Sequence, residues 1–215
     1  EECVKEVLTY LDEYKILAQD LLAVPVILGQ KTDKERFAGA KATYTIEALM
    51  PDGKALQMGT SHNLGQNFAK SFNISYLGKD EKMHTPWQNS WGFSTRLIGA
   101  IVMTHGDDKG LVLPPKIAPV QIVIVPILFE KTKEEVLKKC KELKSLLSVK
   151  YDVELDDRDE YTPGWKYNEW EMKGVPLRIE LGDKELENKE LTIYRKDLDK
   201  KEKILHERED VLMMI

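Results

Sequence analysis

The chain has 215 residues, 42% of them hydrophobic and 32% charged, with a net charge of −5 at neutral pH. That balance suits a soluble globular protein of one large or two small domains, and the negative total argues against a nonspecific nucleic-acid binder while leaving room for a local basic face. The longest apolar run, 120–129, is broken by Gln121 and Pro126 and is too short to span a bilayer, and Cys3 and Cys140 lack metal-ligand spacing and read as free thiols of a reducing compartment.

The first residues read as the middle of a helix. Val4, Val7, Leu8 and Leu11 follow the i, i+3, i+4, i+7 spacing with no capping residue before them, so the chain is expected to begin inside an element, as a fragment. Residues 21–28 are a buried strand candidate that Pro25 pushes toward an edge or bulge. A charged loop or short helix over 29–36 follows. Two β-rich runs, 42–49 and 54–59, flank Pro51-Asp52-Gly53, a hairpin signal whose proline implies a loop longer than two residues. A short helix is expected over 65–72, an irregular polar segment over 74–85, then a strand over 91–96 and an apolar helix over 97–103.

Pro114-Pro115 cannot sit inside a helix, and a domain boundary is placed there. Beyond it the pattern gives a strand (120–128), a helix (132–147), a strand (150–155), a short helix (164–173), two strands (175–181 and 190–195) and a helix from Lys200 onward. Val136, Leu137, Cys140, Leu143 and Leu147 form one stripe of the long helix, and the lysines and glutamates opposite it form a solvated face. Alternating strands and helices imply a small α/β layer domain.

Three clusters invite a chemical reading. Gln57-Met-Gly-Thr60-Ser61-His62 closes a strand with small and hydroxyl residues, which leaves backbone N–H groups free to approach a ligand. Taken alone, Thr60 could equally cap the next helix and His62 be an ordinary polar residue. Ser94-Thr95-Arg96 lies where an apolar strand turns into an apolar helix. A cation in such a dry setting must be paired or must hold an anion. Phe37-Ala-Gly-Ala40 offers an aromatic wall or a plain core residue. His105 with Asp107 and Asp108 matches no metal-ligand spacing, and Glu47 falls on the same presumed sheet with no definite role.

The block 88–115, with Ser-Trp-Gly-Phe-Ser-Thr-Arg96 at its heart, resembles the third signature motif of class II aminoacyl-tRNA synthetases, in the form used by prolyl-tRNA synthetases. Pro163-Gly-Trp-Lys-Tyr-Asn-Glu-Trp-Glu-Met-Lys-Gly-Val-Pro176 is similar to the anticodon-binding domain of that family. The resemblance covers essentially the whole chain and implies a mixed α/β (α+β) architecture. Residues 1–113 would be the C-terminal part of the catalytic domain, on an antiparallel sheet with helices. Residues 114–200 would be a small α/β anticodon-binding domain with a mixed sheet, and 201–215 a C-terminal helix or the start of a further domain. The direct run from the first helix through Phe37 to Thr60, with no large editing insertion, resembles the archaeal/eukaryotic form more than the bacterial one.

The same resemblance implies a ligase that activates proline with ATP and charges tRNA(Pro). ATP would be bound by Gln57, Thr60, Ser94, Thr95 and Arg96, with Arg96 catalytic through charge stabilisation and Gln57 lying indirectly near Mg²⁺. Proline would lie against His62 and Phe37. Arg158 and Lys166, near Trp165 and Trp170, would contact tRNA, since cations and aromatics serve single-stranded RNA. It further implies a cytoplasmic, membrane-free homodimer in full-length form, whose first and second motifs are missing here, so that this piece is inactive alone. The alternative is a noncatalytic synthetase-derived module that binds tRNA or nucleotide.

Overall fold

A computed structural model describes residues 1–205. They form two compact units that divide between Thr104 and His105.

The first unit is an antiparallel sheet in the order β1-β2-β3-β6: β1 (Ile27–Gln30), β2 (Ala42–Leu49), β3 (Ala55–Gly65) and β6 (Gln88–Phe93). Helix α1 (Glu2–Ile16) lies on one face, where Ser61 Oγ donates to the Val7 carbonyl at 2.8 Å. Its buried stripe is Val7, Leu11 and Tyr14, continued by Ala18, whereas Val4 and Leu8 are exposed. The apolar face is therefore rotated from the expected one. Gly59 lets the Tyr14 ring lie close to the strand, since a Cβ there would stand 3.2 Å from that ring and press on it.

The expected strand over 21–28 is corrected. Helix α1 runs on into a π-turn, Leu17–Leu21, Ala23 adopts φ +52°, and strand pairing begins only at Ile27. Pro25 has no N–H to give a ladder, so the turn outcompetes the apolar pattern. Between β2 and β3, Gly53 (φ +79°) donates to the Met50 carbonyl at 2.9 Å, which puts Pro51 in the second position of a four-residue turn. Helix α2 (Asn67–Ser71) follows. The segment expected to be irregular holds a small hairpin, β4 (Tyr76–Leu77) with β5 (Met83–His84). Helix α3 (Arg96–His105) follows β6.

The second unit opens with a hairpin, β7 (Gly106–Asp107) and β8 (Gly110–Leu111), ahead of the expected boundary at 113/114. These residues belong to the second unit because they pack on α5 (Pro163–Met172). A Cβ on Gly110 would stand 2.5 Å from the Met172 Cα, and one on Gly174 the same distance from the Leu111 Cβ. Asp107 is taken by Lys196 at 2.9 Å, a structural pairing.

The main sheet is mixed, ordered β10-β9-β11-β12-β13. Strands β10 (Val153–Leu155) and β11 (Leu177–Leu181) run parallel to β9 (Ile122–Pro126), while β12 (Glu190–Arg195) pairs antiparallel with β11 and β13 (Lys200–Leu205) antiparallel with β12. Strand β9 is buried throughout, as befits a central parallel strand. One face carries Ile122, Ile124, Ile179 and Leu181 against Val136 and Cys140 of α4 (Lys133–Leu147). The other pairs Val123 and Val125 with Tyr167 and Trp170 of α5. Helix α6 (Asp183–Asn188) joins β11 to β12. The helix expected from Lys200 is corrected through Leu205: Lys-Lys-Glu-Lys-Ile-Leu forms a strand paired with β12, and residues 206–215 lie outside the described residues.

Candidate active site

Strand β3 sets the site by an irregularity. Side chains alternate faces along a strand, so Gln57 should point away from Thr60 and His62. The pairing shifts between Ile46 and Glu47, which pair with Gly59 and Gln57 and leave Met58 as the extra residue of a bulge. One inserted residue flips the parity on its far side. Gln57, Thr60 and His62 thus come to line one cavity of about 370 Å³, while Gly59, Ser61 and Asn63 are buried. Thr60 lies within β3 and caps no helix.

The neighbouring wall comes from β6 and the start of α3, with Ser90, Gly92, Ser94 and Arg96 lining the same cavity, while the rings of Trp91 and Phe93 turn to the other face of the sheet and pack on Tyr10 and Tyr14 of α1. Arg96 corrects one expectation. Its setting is not dry: the side chain is exposed, and α3 buries only Leu97 and Ala100. The guanidinium is steered by one bond, Nη1 donating to the Gln57 carbonyl at 3.2 Å, and no carboxylate pairs with it among the described residues. Ser94 opens the helix, its Oγ accepting from Arg96 N at 3.3 Å and its carbonyl accepting from Leu97 N at 3.1 Å. Thr95 is exposed beside it, outside the cavity lining, and its carbonyl accepts from Ile98 N. The first turn of α3 thus turns its N–H groups onto Ser94 and Thr95 and places a positive dipole end near a cation.

His62 is the counterpart on β3. Its Nδ1 lies 2.9 Å from Thr43 Oγ1, and burial lowers its pKa from the ordinary histidine value. Phe37 leans on it, ring centroids 5.0 Å apart, and is 50% exposed, which sets it apart from plain core. Thr43 is the residue that sequence reasoning missed. It pairs directly with His62 across the β2–β3 ladder, but nothing in the sequence sets that threonine apart from others in a β-rich run. Glu47 lies away from the cavity and is paired with Lys31 at 2.7 Å.

The donor set suits an anion. Among the described residues, no group of three histidine, cysteine or carboxylate side chains could hold a metal ion. Gln57 supplies one neutral amide oxygen, which fits a place beside a hydrated, phosphate-bound Mg²⁺ rather than a side-chain cage.

In the second unit, Arg158 grips Asp156 through Nε (2.8 Å) and Nη2 (2.7 Å) and also reaches Glu169. The guanidinium lies near a stacked pair, Tyr161 and Trp165, whose rings are 3.9 Å apart and both exposed. Arg158, Tyr161, Pro163 and Lys166 border a cavity of about 260 Å³. Lys166 departs from its expected role. It is 2% exposed and its Nζ donates to the Asp156 carbonyl at 3.1 Å, so it is part of the framework and not a surface cation. Trp170 is structural too, its Nε1 donating to Asp156 at 2.8 Å. Among the described residues, no helix is long and apolar enough to cross a membrane.

Comparison with known proteins accounts for both units. Residues 1–105 match the tRNA synthetase class II core domain (G, H, P, S and T), and residues 121–215 match the anticodon binding domain. The chain is 58% identical over 197 residues to a proline–tRNA ligase of Alkaliphilus oremlandii, covering 92% of this chain and 41% of that protein. It is 53% identical over 201 residues to the proline–tRNA ligase of Natranaerobius thermophilus, covering 94% and 42%. With the proline–tRNA ligase of Clostridium novyi it shares 56% over 197 residues, covering 92% and 41%. The chain thus spans about two fifths of the length of these curated relatives. With a class II core followed by an anticodon-binding domain, and this similarity along nearly its whole length, the chain belongs to the class II tRNA synthetases of the proline–tRNA ligase family.

Proposed function

We propose that the first unit is the part of a proline–tRNA ligase core that holds ATP and proline, and that the second reads tRNA(Pro). The observation that carries this reading is one cavity shared by Arg96 and His62. In the activation step, a proline carboxylate oxygen forms a bond to the α-phosphorus of ATP, and the bond to the bridging oxygen breaks. Pyrophosphate leaves with that electron pair. The chemistry needs alignment and charge stabilisation, with no protein nucleophile.

The residues divide the work by their chemistry. Arg96 is a rim cation with planar donors matched to phosphate oxygens, set beside the helix N-terminus that favours the same charge. Thr60, Ser94 and the Gln57 amide supply neutral donors and acceptors for the nucleotide, and Thr95 shapes the turn that presents Arg96. When bound to the phosphates, Mg²⁺ would neutralise charge there, with Gln57 the residue of this chain beside it. His62 and Phe37 form the proline side, an apolar wall with one polar edge. The prolyl group then passes to a 3′-terminal hydroxyl of the tRNA and AMP is released. A cytoplasmic location and a homodimeric state of the complete ligase are part of the same proposal, supported by the resemblance to the family.

Proline-dependent ATP–pyrophosphate exchange by the complete polypeptide carrying this chain tests the reading. Exchange absent while ATP still binds would favour a noncatalytic module. In the active protein, His62→Ala is expected to raise KM for proline about tenfold or more with KM for ATP nearly unchanged, as loss of a hydrogen bond to a charged ligand group implies. A rise confined to ATP would reassign His62.

For the second unit, the exposed Tyr161–Trp165 stack is a platform for an unpaired base, with Arg158 as the adjacent cation. Trp165→Ala is expected to weaken tRNA binding by about 1–3 kcal/mol while leaving exchange intact. Unchanged binding in a filter or fluorescence titration would make the stack structural.

A further inference from the structure

The hydrogen bonds behind His62 determine which of its nitrogens carries the proton. Thr43 Oγ1 lies 2.9 Å from His62 Nδ1 and also accepts the backbone N–H of Phe37 at 3.1 Å. Thr43 is 2% exposed, so its hydroxyl proton has no bulk water to meet. A hydroxyl has one proton to give and two lone pairs to offer. Were Nδ1 protonated, Phe37 and His62 would both donate to Oγ1. The Thr43 proton would then be buried without an acceptor among the described residues, which is costly. The other arrangement satisfies every group: Phe37 N–H donates to Thr43, Thr43 O–H donates to Nδ1, and the ring proton sits on Nε2. Burial keeps the ring neutral near neutral pH, so a single nitrogen carries the proton.

We propose that Thr43 is a positioning residue whose hydroxyl locks His62 in the Nε2–H tautomer, so that the imidazole meets its ligand as a donor to an oxygen. The consequence for recognition rests on the proline reading above. A donor aimed into the cavity suits a carboxylate or carbonyl oxygen and opposes the protonated ring amine, which is itself a donor. His62 thus selects for the acid end of the amino acid, and Phe37 packs against the same imidazole while its backbone anchors the threonine. Two residues paired across the β2–β3 ladder and one from the preceding loop act as a single unit.

Nitrogen-15 NMR of the imidazole in this chain, without ligand, distinguishes the two tautomers directly. The wild-type protein and Thr43→Ser are expected to show Nε2–H. Thr43→Val keeps the shape and removes the hydroxyl, and its ratio of Nε2–H to Nδ1–H is expected to fall roughly fivefold, the factor that a hydrogen bond of ordinary strength supports. An Nδ1–H ring in the wild-type protein overturns the proposal, as does an unchanged ratio in a folded Thr43→Val protein. If the valine variant does not fold, the wild-type and serine spectra still decide. The ligand reading is separable: a KM for proline indifferent to His62→Ala would remove the substrate assignment while the tautomer measurement stood.

Discussion

Arg96→Ala is expected to depress proline-dependent ATP–pyrophosphate exchange by about two to three orders of magnitude, or roughly 2–4 kcal/mol of transition-state stabilisation. The size follows from what the group can do. Negative charge shifts among the phosphate oxygens as the α-phosphorus changes partners, and a preplaced cation costs no reorganisation at that moment. Its placement follows from the fold: the Gln57 carbonyl holds Nη1 at 3.2 Å, and the Ser94 turn fixes the backbone. Stability should hardly change, because the side chain is exposed and makes that one tertiary bond, which keeps the cost near the usual surface value of about 0.5 kcal/mol or less. A kinetic loss with an unchanged melting curve is therefore the signature. Arg96→Lys keeps the charge but not the planar fork, and should recover part of the rate. Near-normal exchange by Arg96→Ala would falsify its assignment to the phosphates.

The site was legible in the sequence to the extent that chemistry shows in residue types, and illegible where backbone geometry decides. Gln57, Thr60 and His62 could be picked out together by resemblance, yet simple alternation puts Gln57 on the wrong face. Only the bulge at Met58 reconciles them, and no residue there advertises it. Thr43 was invisible for a related reason: its importance lies in a cross-strand partner and in a Phe37 amide, both of them tertiary facts. Arg96 was found, but on a premise that the structure reverses, since the apolar residues of α3 suggested burial and Ile98, Val102 and Met103 are exposed, as is Arg96 itself.

In the second unit, the strand over 177–181 reads as apolar residues facing in and Arg178 and Glu180 facing out. Both charges are in fact buried, paired with one another, and Tyr167 and Tyr194 lie 4.1 and 4.3 Å from the guanidinium. A sheet covered on both faces gives such residues no solvent side, which a single-strand pattern cannot reveal. Strand β13 shows the opposite failure: Lys200–Leu205 carries too little apolar signal to be read as a strand, and its pairing with β12 supplies what the sequence lacks.

Asp156→Ala is expected to destabilise the second unit by about 3–5 kcal/mol, the range for removing one partner of a buried ion pair. Its carboxylate is 1% exposed and accepts from both Arg158 nitrogens and from Trp170 Nε1, with Lys166 Nζ at 3.9 Å. Burial alone would raise its pKa. The hydrogen bonds from Arg158 and Trp170, with the nearby Lys166 ammonium, outweigh that and hold it below the ordinary carboxylate value. The sign of the pH effect follows. A depressed folded-state pKa gives stability that is fully present above the unfolded pKa of about 4 and is lost as pH falls through the lower folded value. The wild-type protein should therefore shed this stability only in acid, whereas Asp156→Ala should show a flatter acid limb. Urea unfolding followed by Trp165 and Trp170 fluorescence measures the loss, and a deficit under about 1 kcal/mol at neutral pH would mean that the lysine and arginine are satisfied without the carboxylate. The same substitution releases Arg158 from the bond that holds it near Tyr161 and Trp165. Weaker tRNA binding should thus accompany lower stability even at temperatures where the unit stays folded, because a stacking platform works by being ordered before the base arrives.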